Sequence, residues 1–306
     1  MNPLDMSQKN NVIYYMKCIR TSMNKATNIL KRFIGKKHNM YILFILFILF
    51  ILFILFILFI FLFIIYSFLT GYKEYFENKS QDVLLVVSRF NEDLEWLKEE
   101  PFSKYPVLIY NKGNNNDFYH PEIKFQTIIP LKNVGRCDHT YLYHVIKNYD
   151  HLNKITVFLP GSVDLQHKID KSKRMIQEIE DKKSAVFISN FMENVSKELY
   201  DFQLDSWNAT HPNNVSLTKN DELELSSIRP FGKWFEEKFG NIQIQHVTYG
   251  GIFSIDKEDI LQHSKSYYEN LIQELDKTPN PEVGHYFERA WEAVFYPMTH
   301  TIFLKE

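Results

Sequence analysis

From Ile42 to Phe59 the sequence repeats the triplet Ile-Leu-Phe six times, and the 26 residues from Tyr41 to Tyr66 carry no charge. No water-soluble fold can bury such a run on one face of a helix. A period of three does not match 3.6 residues per turn, so Ile, Leu and Phe each spiral around the axis and no polar face remains. At about 1.5 Å per residue the run crosses a hydrocarbon layer of about 30 Å with length to spare. It exceeds the apolar region of a cleaved signal peptide, and no small-residue cleavage site follows it. The run therefore reads as a transmembrane helix over 41–66. Gly, Ala and Ser are absent until Ser67, so it lacks the small-residue seam of closely packed membrane helices.

Charge sets the expected topology. Residues 1–40 hold eight of the 35 Lys and Arg but only one of the 37 Asp and Glu, Asp5. The remaining chain keeps 27 basic and 36 acidic residues, a net charge of −9. Basic flanks stay cytosolic, which predicts a single-pass type II protein. Its parts are a basic cytosolic tail (1–40), the span (41–66), a polar stem (67–81) and an outer domain (82–306). That domain lies in the secretory-pathway lumen or on a cell or virion surface. Four glycosylation sequons, at Asn78, Asn194, Asn208 and Asn214, all follow the span. A domain this acidic is a poor polyanion ligand, so nucleic acid is not an expected partner. The two cysteines, Cys18 and Cys137, fall on opposite sides of the span, and two are too few for a cysteine-built zinc site.

The outer domain alternates short apolar runs with helical patterns. "DVLLVVSRF", "PVLIYNKG", "FQTIIPL", "KITVFLPG" and "SAVFIS" read as strands, and "IQIQHVTYGGIFSI" as two strands around a Gly-Gly break. "NEDLEWLKEE" reads as a helix capped by Asn91, "DHTYLYHVIKNY" as one capped by Asp138, and "DKSKRMIQEIEDKK" as an exposed helix. "FGKWFEEKFG" is short. "DKEDILQHSKSYYENLIQEL" reads as a single helix starting at Asp256, and "VGHYFERAWEAVFY" as a terminal one; 190–230 is polar and resists assignment. This is an α/β domain with a mainly parallel sheet. Ligands of such sheets sit beyond the carboxyl ends of the strands, which nominates 89–93, 111–113, 161–167 and 250–251.

The segments "VVSRFNEDLEWL", "IYNKG", "NVGRCDHTYLYHVIKNYDHLNKITVFLPG" and "HYFERAWEAVF" occur in order over roughly residues 82–298. They resemble domain-of-unknown-function family 3431, known mainly from fungi, algae and large DNA viruses. Its layout is similar to that of GT-A glycosyltransferases, whose first strand and loop hold a nucleotide and whose later strand carries acidic metal ligands. The resemblance implies a nucleotide-sugar donor, a glycan acceptor and a divalent metal, Mn or Mg. The chain departs from the family after "ITVFLPG". There a His-Pro pair and an Asp-His usually follow, and here only Asp164 and His167 remain as counterparts for the metal.

Each candidate residue also has a structural reading. Arg89 ends an apolar strand, where a guanidinium needs an anionic partner, either Glu92, Asp93 or a ligand diphosphate. Asn91 and Asp93 fit a ligand-contacting loop or an ordinary helix start. Arg136 and His139 flank a helix N-terminus that can receive a phosphate, or cap it with a surface arginine. Glu288 on the terminal helix is the residue type an inverting transferase needs as base, with Asp93 as the other catalytic candidate; it equally fits a framework pair with Arg289. Asp164 and His167 form a thin metal site or a solvated turn. No nucleophile elbow, phosphate-binding Gly-Lys-Ser/Thr loop or dinucleotide fingerprint is present. The leading expectation is a glycosyltransferase-like enzyme. The alternative is a non-catalytic, membrane-anchored domain that binds glycans or protein.

Overall fold

The computed structural model describes residues 6–77, 82–118, 121, 123, 126–218 and 222–306. The chain divides into two compact units, Met1–Glu74 and Tyr75–Glu306. The first is built on helix α1 (Met6–Glu77), which continues through the polar residues 67–77 where the sequence suggested a stem. Within it, Leu46–Ile64 is long and apolar enough to cross a membrane. The described side chains of that stretch are exposed. The sequon at Asn78 and residues 78–81 lie outside the described residues.

The second unit runs β1 (Val83–Arg89), β2 (Val107–Asn111), β3 (Gln126–Pro130), α2 (Arg136–Asn148), β4 (Ile155–Pro160), α3 (Gln166–Lys182) and β5 (Val186–Phe191). It continues with α4 (Val195–Glu198), α5 (Pro212–Thr218), α6 (Phe231–Phe239), β6 (His246–Val247), β7 (Phe253–Asp256), α7 (Lys257–Leu261), α8 (Lys265–Ile272), α9 (Glu282–Val294) and β8 (Ile302–Lys305). The main sheet has the order β3-β2-β1-β4-β7, and β3, β2, β1 and β4 are parallel. Its register runs from Leu85 opposite Val107 to Arg89 opposite Asn111, and from Val83 opposite Ile155 to Ser88 opposite Pro160. Strand β7 closes one edge antiparallel to β4, and a smaller sheet has the order β6-β5-β8. The Ser254 hydroxyl joins the two sheets, accepting from the Val186 N–H and donating to its carbonyl.

Alternation along β1 explains the layering. Leu84 and Val86 enter one core with α2, α9 and the aromatic cluster Tyr141, Phe158, Phe253 and Trp291. Leu85 and Val87 enter the other, with Trp96, Leu97 and the α3 residues Met175, Ile176 and Ile179. A strand covered on both faces has no polar alternation, which is why "VLLVV" is uninterrupted.

Three readings of the sequence are corrected. Asn91 does not cap a helix, because Glu92 turns its carboxylate back onto the Phe90 and Asn91 N–H groups (2.7 and 3.0 Å). Only a 3-10 turn forms, at Glu95–Lys98. Asp138 does not cap α2, which starts two residues earlier behind Gly135 (φ 57°). A Cβ at Gly135 would lie 2.4 Å from the Leu275 carbonyl oxygen, so the turn admits only glycine. The long helix expected from Asp256 is two helices, α7 and α8. Asp256 does cap the first, accepting from the Glu258 N–H at 2.9 Å.

Candidate functional site

The chain leaves β1 toward β2 on one side and β4 lies on the other, so a crevice opens at the carboxyl ends of these strands. It is lined by Ser88, Arg89, Phe90, Lys112, Pro160 and Ser162 at the strand ends, and by Gly250 and Gly251. All four regions nominated by the carboxyl-end rule therefore contribute to one cleft.

One wall is formed by the ends of β1 and β2, and it is saturated with hydrogen bonds. Arg89 Nε donates to the Glu92 carbonyl (2.9 Å), Nη1 to Asn111 Oδ1 (2.9 Å) and the Asn115 carbonyl (3.1 Å), and Nη2 to Asn115 Oδ1 (2.8 Å). Its plane lies 4.1 Å over the Phe118 ring. The partners expected for Arg89 were carboxylates or a diphosphate; its hydrogen-bond acceptors are amide oxygens. Glu92, besides holding its own loop, accepts from Asn214 Nδ2 at 2.7 Å.

The opposite wall belongs to α2 and α9. Arg136 lies 3.9 Å over the Trp207 ring, and its Nη1 meets His285 Nε2 at 2.5 Å. A guanidinium only donates, so His285 accepts on Nε2 and carries its proton on Nδ1, 3.9 Å from Glu288 Oε2. Burial, together with Arg136, pushes the His285 imidazole down to about 4, which agrees with a neutral ring. Glu288 accepts from the Gly250 N–H at 2.7 Å and lies 3.5 Å from Arg289 Nη1. Burial raises its pKa, but the nearby His285 Nδ1–H, Arg136, the Gly250 amide and Arg289 prevail and hold it at about 2.

Three buried groups complete this wall. Lys112 Nζ donates to the Val134 carbonyl (2.6 Å) and the Arg136 carbonyl, and burial pushes it down to about 7. Asp138, 2% exposed, accepts weakly from Cys137 Sγ on Oδ2 (3.8 Å), while its Oδ1 has no partner among the described residues. Burial pushes Asp138 up to about 7 despite the opposing pull of Arg136. Burial also drives the Cys137 thiol to about 12, so it is neutral and no nucleophile. On the α3 side, Lys168 Nζ donates to Ser162 Oγ at 2.8 Å, and burial lowers its pKa.

The polar stretch that resisted assignment supplies the remaining side, with Trp207, Ala209, Thr210, His211 and Asn214 in the lining. Its base is fixed by Glu282, whose buried carboxylate accepts from the Leu204 and Ser226 N–H groups, Arg229 Nε and Tyr286 Oη. His211 Nε2 lies 3.1 and 3.0 Å from the two Asp164 oxygens.

Of the residues expected from sequence, Arg89, Arg136 and Glu288 line the cleft. Asn91 is at its edge, its carbonyl 3.5 Å from Asn213 Nδ2. Asp93 is exposed, and its carboxylate accepts from the Glu95 N–H. His139 is buried outside the lining, stacked on Tyr143 and 3.7 Å from Asp276, with its pKa pushed down to about 4 by burial. Asp164 pairs with His211, and His167 is exposed on the first turn of α3. Among the described residues no group of three or more His, Cys, Asp or Glu is arranged to hold a metal ion.

Sequence reasoning missed Lys112, Lys168, Trp207 and His211 and read Asp138 as a cap. Lys112 was accessible by the argument used for Arg89, a cation directly after a fully apolar strand. The others depend on tertiary placement.

Residues 84–303 match the family described as "Protein of unknown function (DUF3431)", and the chain belongs to that family. No curated protein matches in sequence. Among solved structures the chain is similar to a CMP:2-keto-3-deoxy-manno-octonic acid synthetase complexed with CTP. The identity is 11%, the TM-score 0.29, and the alignment covers 74% of this chain and 91% of that one. At that TM-score the two backbones do not superpose closely enough for a site to be transferred.

Proposed function

We propose that this member of the family is a membrane-anchored, glycosyltransferase-like enzyme that takes a nucleotide-sugar donor into the cleft. The observation that carries the reading is the clustering of Arg136, Lys168 and Lys112 with the N-terminus of the 13-residue helix α2 in one partly buried cleft. Helix N-termini and guanidinium groups favour phosphate oxygens, and their effect grows as water is excluded. Transfer of a glycosyl group develops negative charge on the leaving diphosphate, which Arg136 and Lys168 are placed to stabilise. The cleft volume is about 180 Å³, below the roughly 300 Å³ of sites that enclose drug-sized ligands. It therefore suits the sugar and phosphates, with the base toward the open mouth.

Glu288, ionised and fixed by Gly250 and Arg289, is assigned to hydrogen bonds from sugar hydroxyls. At a pKa of about 2 it is too weak a base to take a proton efficiently near neutrality. Arg89 and His139 are assigned to framing the cleft, and Asn91 and Asp93 to its entrance on the acceptor side. The described residues offer Mn or Mg no set of three ligands, so no step is routed through a metal at Asp164 and His167.

We assign the basic N-terminal segment to the cytosol and the second unit to the lumenal or external side, because 1–40 is basic and the remainder acidic. Asn208 is exposed, and a glycosidase-sensitive mass loss on Asn208→Gln is expected. Absence of any glycan would contradict this topology.

The test of function is a thermal shift of the detergent-solubilised chain with UDP-glucose, UDP-N-acetylglucosamine and GDP-mannose, with and without Mn. Stabilisation by one donor is expected. No shift with any of them supports the non-catalytic binding domain instead.

A further inference from the structure

The cleft contains one carboxyl oxygen that the protein leaves unused. Asp138 Oδ1 is buried, belongs to a side chain lining the cleft, and has no hydrogen-bond partner among the described residues. The other carboxylates of the lining are committed: Glu288 accepts from the Gly250 N–H, and Glu92 from its own loop and Asn214. A buried polar atom without a partner is costly; others among the described residues, such as Trp234 Nε1 and Trp291 Nε1, lie in the apolar core, whereas Asp138 belongs to the cleft lining.

Two features keep that oxygen in place. Gly135 and Arg136 both adopt left-handed backbone conformations (φ 57° and 53°), which sets Asp138 in the first turn of α2, among the residues that line the cleft. From α9, Gly284 packs so closely that a Cβ there would lie 3.0 Å from Arg136 Cδ and 3.5 Å from Asp138 Oδ2. The charged and titratable groups acting on Asp138 are Arg136 and Cys137 beside it in sequence, Lys112 after β2 and Glu288 on α9.

We infer that Asp138 is the catalytic base of the glycosyl transfer assigned above, its carboxylate receiving the proton of the acceptor hydroxyl. The inference rests on the transferase reading. As the acceptor O–H bond breaks, its proton passes to Asp138 and its electron pair forms the new bond to the anomeric carbon. The bond from that carbon to the donor phosphate oxygen breaks, and its electron pair leaves on the nucleoside diphosphate. Asp138 then returns the proton to solvent. The leaving diphosphate needs no proton, so one carboxylate suffices. A pKa raised to about 7 by burial matches the requirement that a base titrate near the working pH, where Glu288 does not.

The test uses the detergent-solubilised full chain and whichever of UDP-glucose, UDP-N-acetylglucosamine and GDP-mannose stabilises it, with nucleoside diphosphate release as the readout. Asp138→Asn keeps the shape and removes the base. It should bind the donor within about twofold of the parent and release diphosphate at least about 100-fold more slowly. It should also lose the rise of kcat between pH 6 and pH 8 that the parent shows. Asp138→Glu should retain part of the rate with a displaced pH profile. Should Asp138→Asn fail to fold, a parent kcat that is flat across pH 6–8 overturns the inference by itself. Donor stabilisation with an unimpaired Asp138→Asn overturns this assignment alone. If no donor is bound or turned over by the parent, the transferase reading falls and this assignment with it.

Discussion

Two arginines face the same cleft from opposite walls, and their surroundings differ in kind. Arg89 spends its donors on Asn111, Asn115 and the Glu92 carbonyl, so it fixes the loops after β1 and β2 to one another. Arg136 has a neutral imidazole and an indole face as its nearest partners, with Glu288 and Asp138 close enough to feel its charge. Both follow from the same rule, that a buried cation must be satisfied, yet one is satisfied internally and the other leaves room for a ligand anion. In a cleft rich in charge, the discriminating property is how much hydrogen-bonding capacity remains uncommitted.

The comparison can be broken by substitution. Arg89→Met should cost about 3 kcal/mol, because Asn111 and Asn115 lose their donors inside the protein. Read as a melting temperature, that is a fall of roughly 10 °C, with donor affinity of the folded protein little changed. A loss of affinity without loss of stability would reverse the assignment.

The pH dependence of Asp138 gives the next largest effect. Its folded pKa of about 7 lies above the ordinary value of 3.8. The stability it contributes is therefore fully present below about pH 4 and is lost as pH rises through 7. Asp138→Asn removes that dependence, so its stability relative to the parent should grow by about 2.7 kcal/mol between pH 5 and pH 8. Thermal scans of both proteins in matched buffers decide it; an equal difference at the two pH values contradicts a buried, perturbed carboxyl.

Arg136→Met should weaken donor binding about tenfold, corresponding to loss of one charge-assisted contact of about 1.4 kcal/mol, while melting within a few degrees of the parent. If it melts as early as Arg89→Met, the two walls are not distinct. The smallest effect is expected of Gly284→Ala. Alanine favours a helix over glycine by about 1 kcal/mol, and the new methyl presses on Arg136 Cδ. Stability should hardly move while donor affinity falls a few-fold, as titration calorimetry would register.

The sheet was legible because its strands are covered on both faces, which leaves uninterrupted apolar runs such as "VLLVV" and "VFL". Strand β8 was not, since four residues at the edge of the small sheet, two of them exposed, carry no pattern. The split between α7 and α8 was hidden because the helical periodicity runs straight through it. The break comes from Ser264 in extended conformation and the Tyr149 hydroxyl donating to the His263 carbonyl. In the site, Arg89 was found by its position after an apolar run, Arg136 by its place at a helix N-terminus and Glu288 by its aromatic-flanked helix. Trp207 and His211 were not, because the stretch that carries them is anchored at Leu204, Ser226 and Arg229 by the buried Glu282 carboxylate rather than by its own propensities. Asp138 was misread because an Asp before a helical pattern ordinarily caps it, whereas here the left-handed turn at Gly135 starts the helix at Arg136 and leaves Asp138 inside its first turn.

The contact between Asn214 Nδ2 and Glu92 bears on the order of events during biogenesis. That nitrogen is the atom a glycan would occupy in the sequon at 214, and the folded protein has already given it to a carboxylate at the cleft. In a lumenal domain, a glycan on that nitrogen leaves it a single N–H beside Glu92 and the cleft wall, so glycosylation at Asn214 competes with assembly of the cleft. If the second unit is lumenal, glycopeptide mass spectrometry should find Asn214 modified more often in a destabilised variant such as Arg89→Met than in the parent.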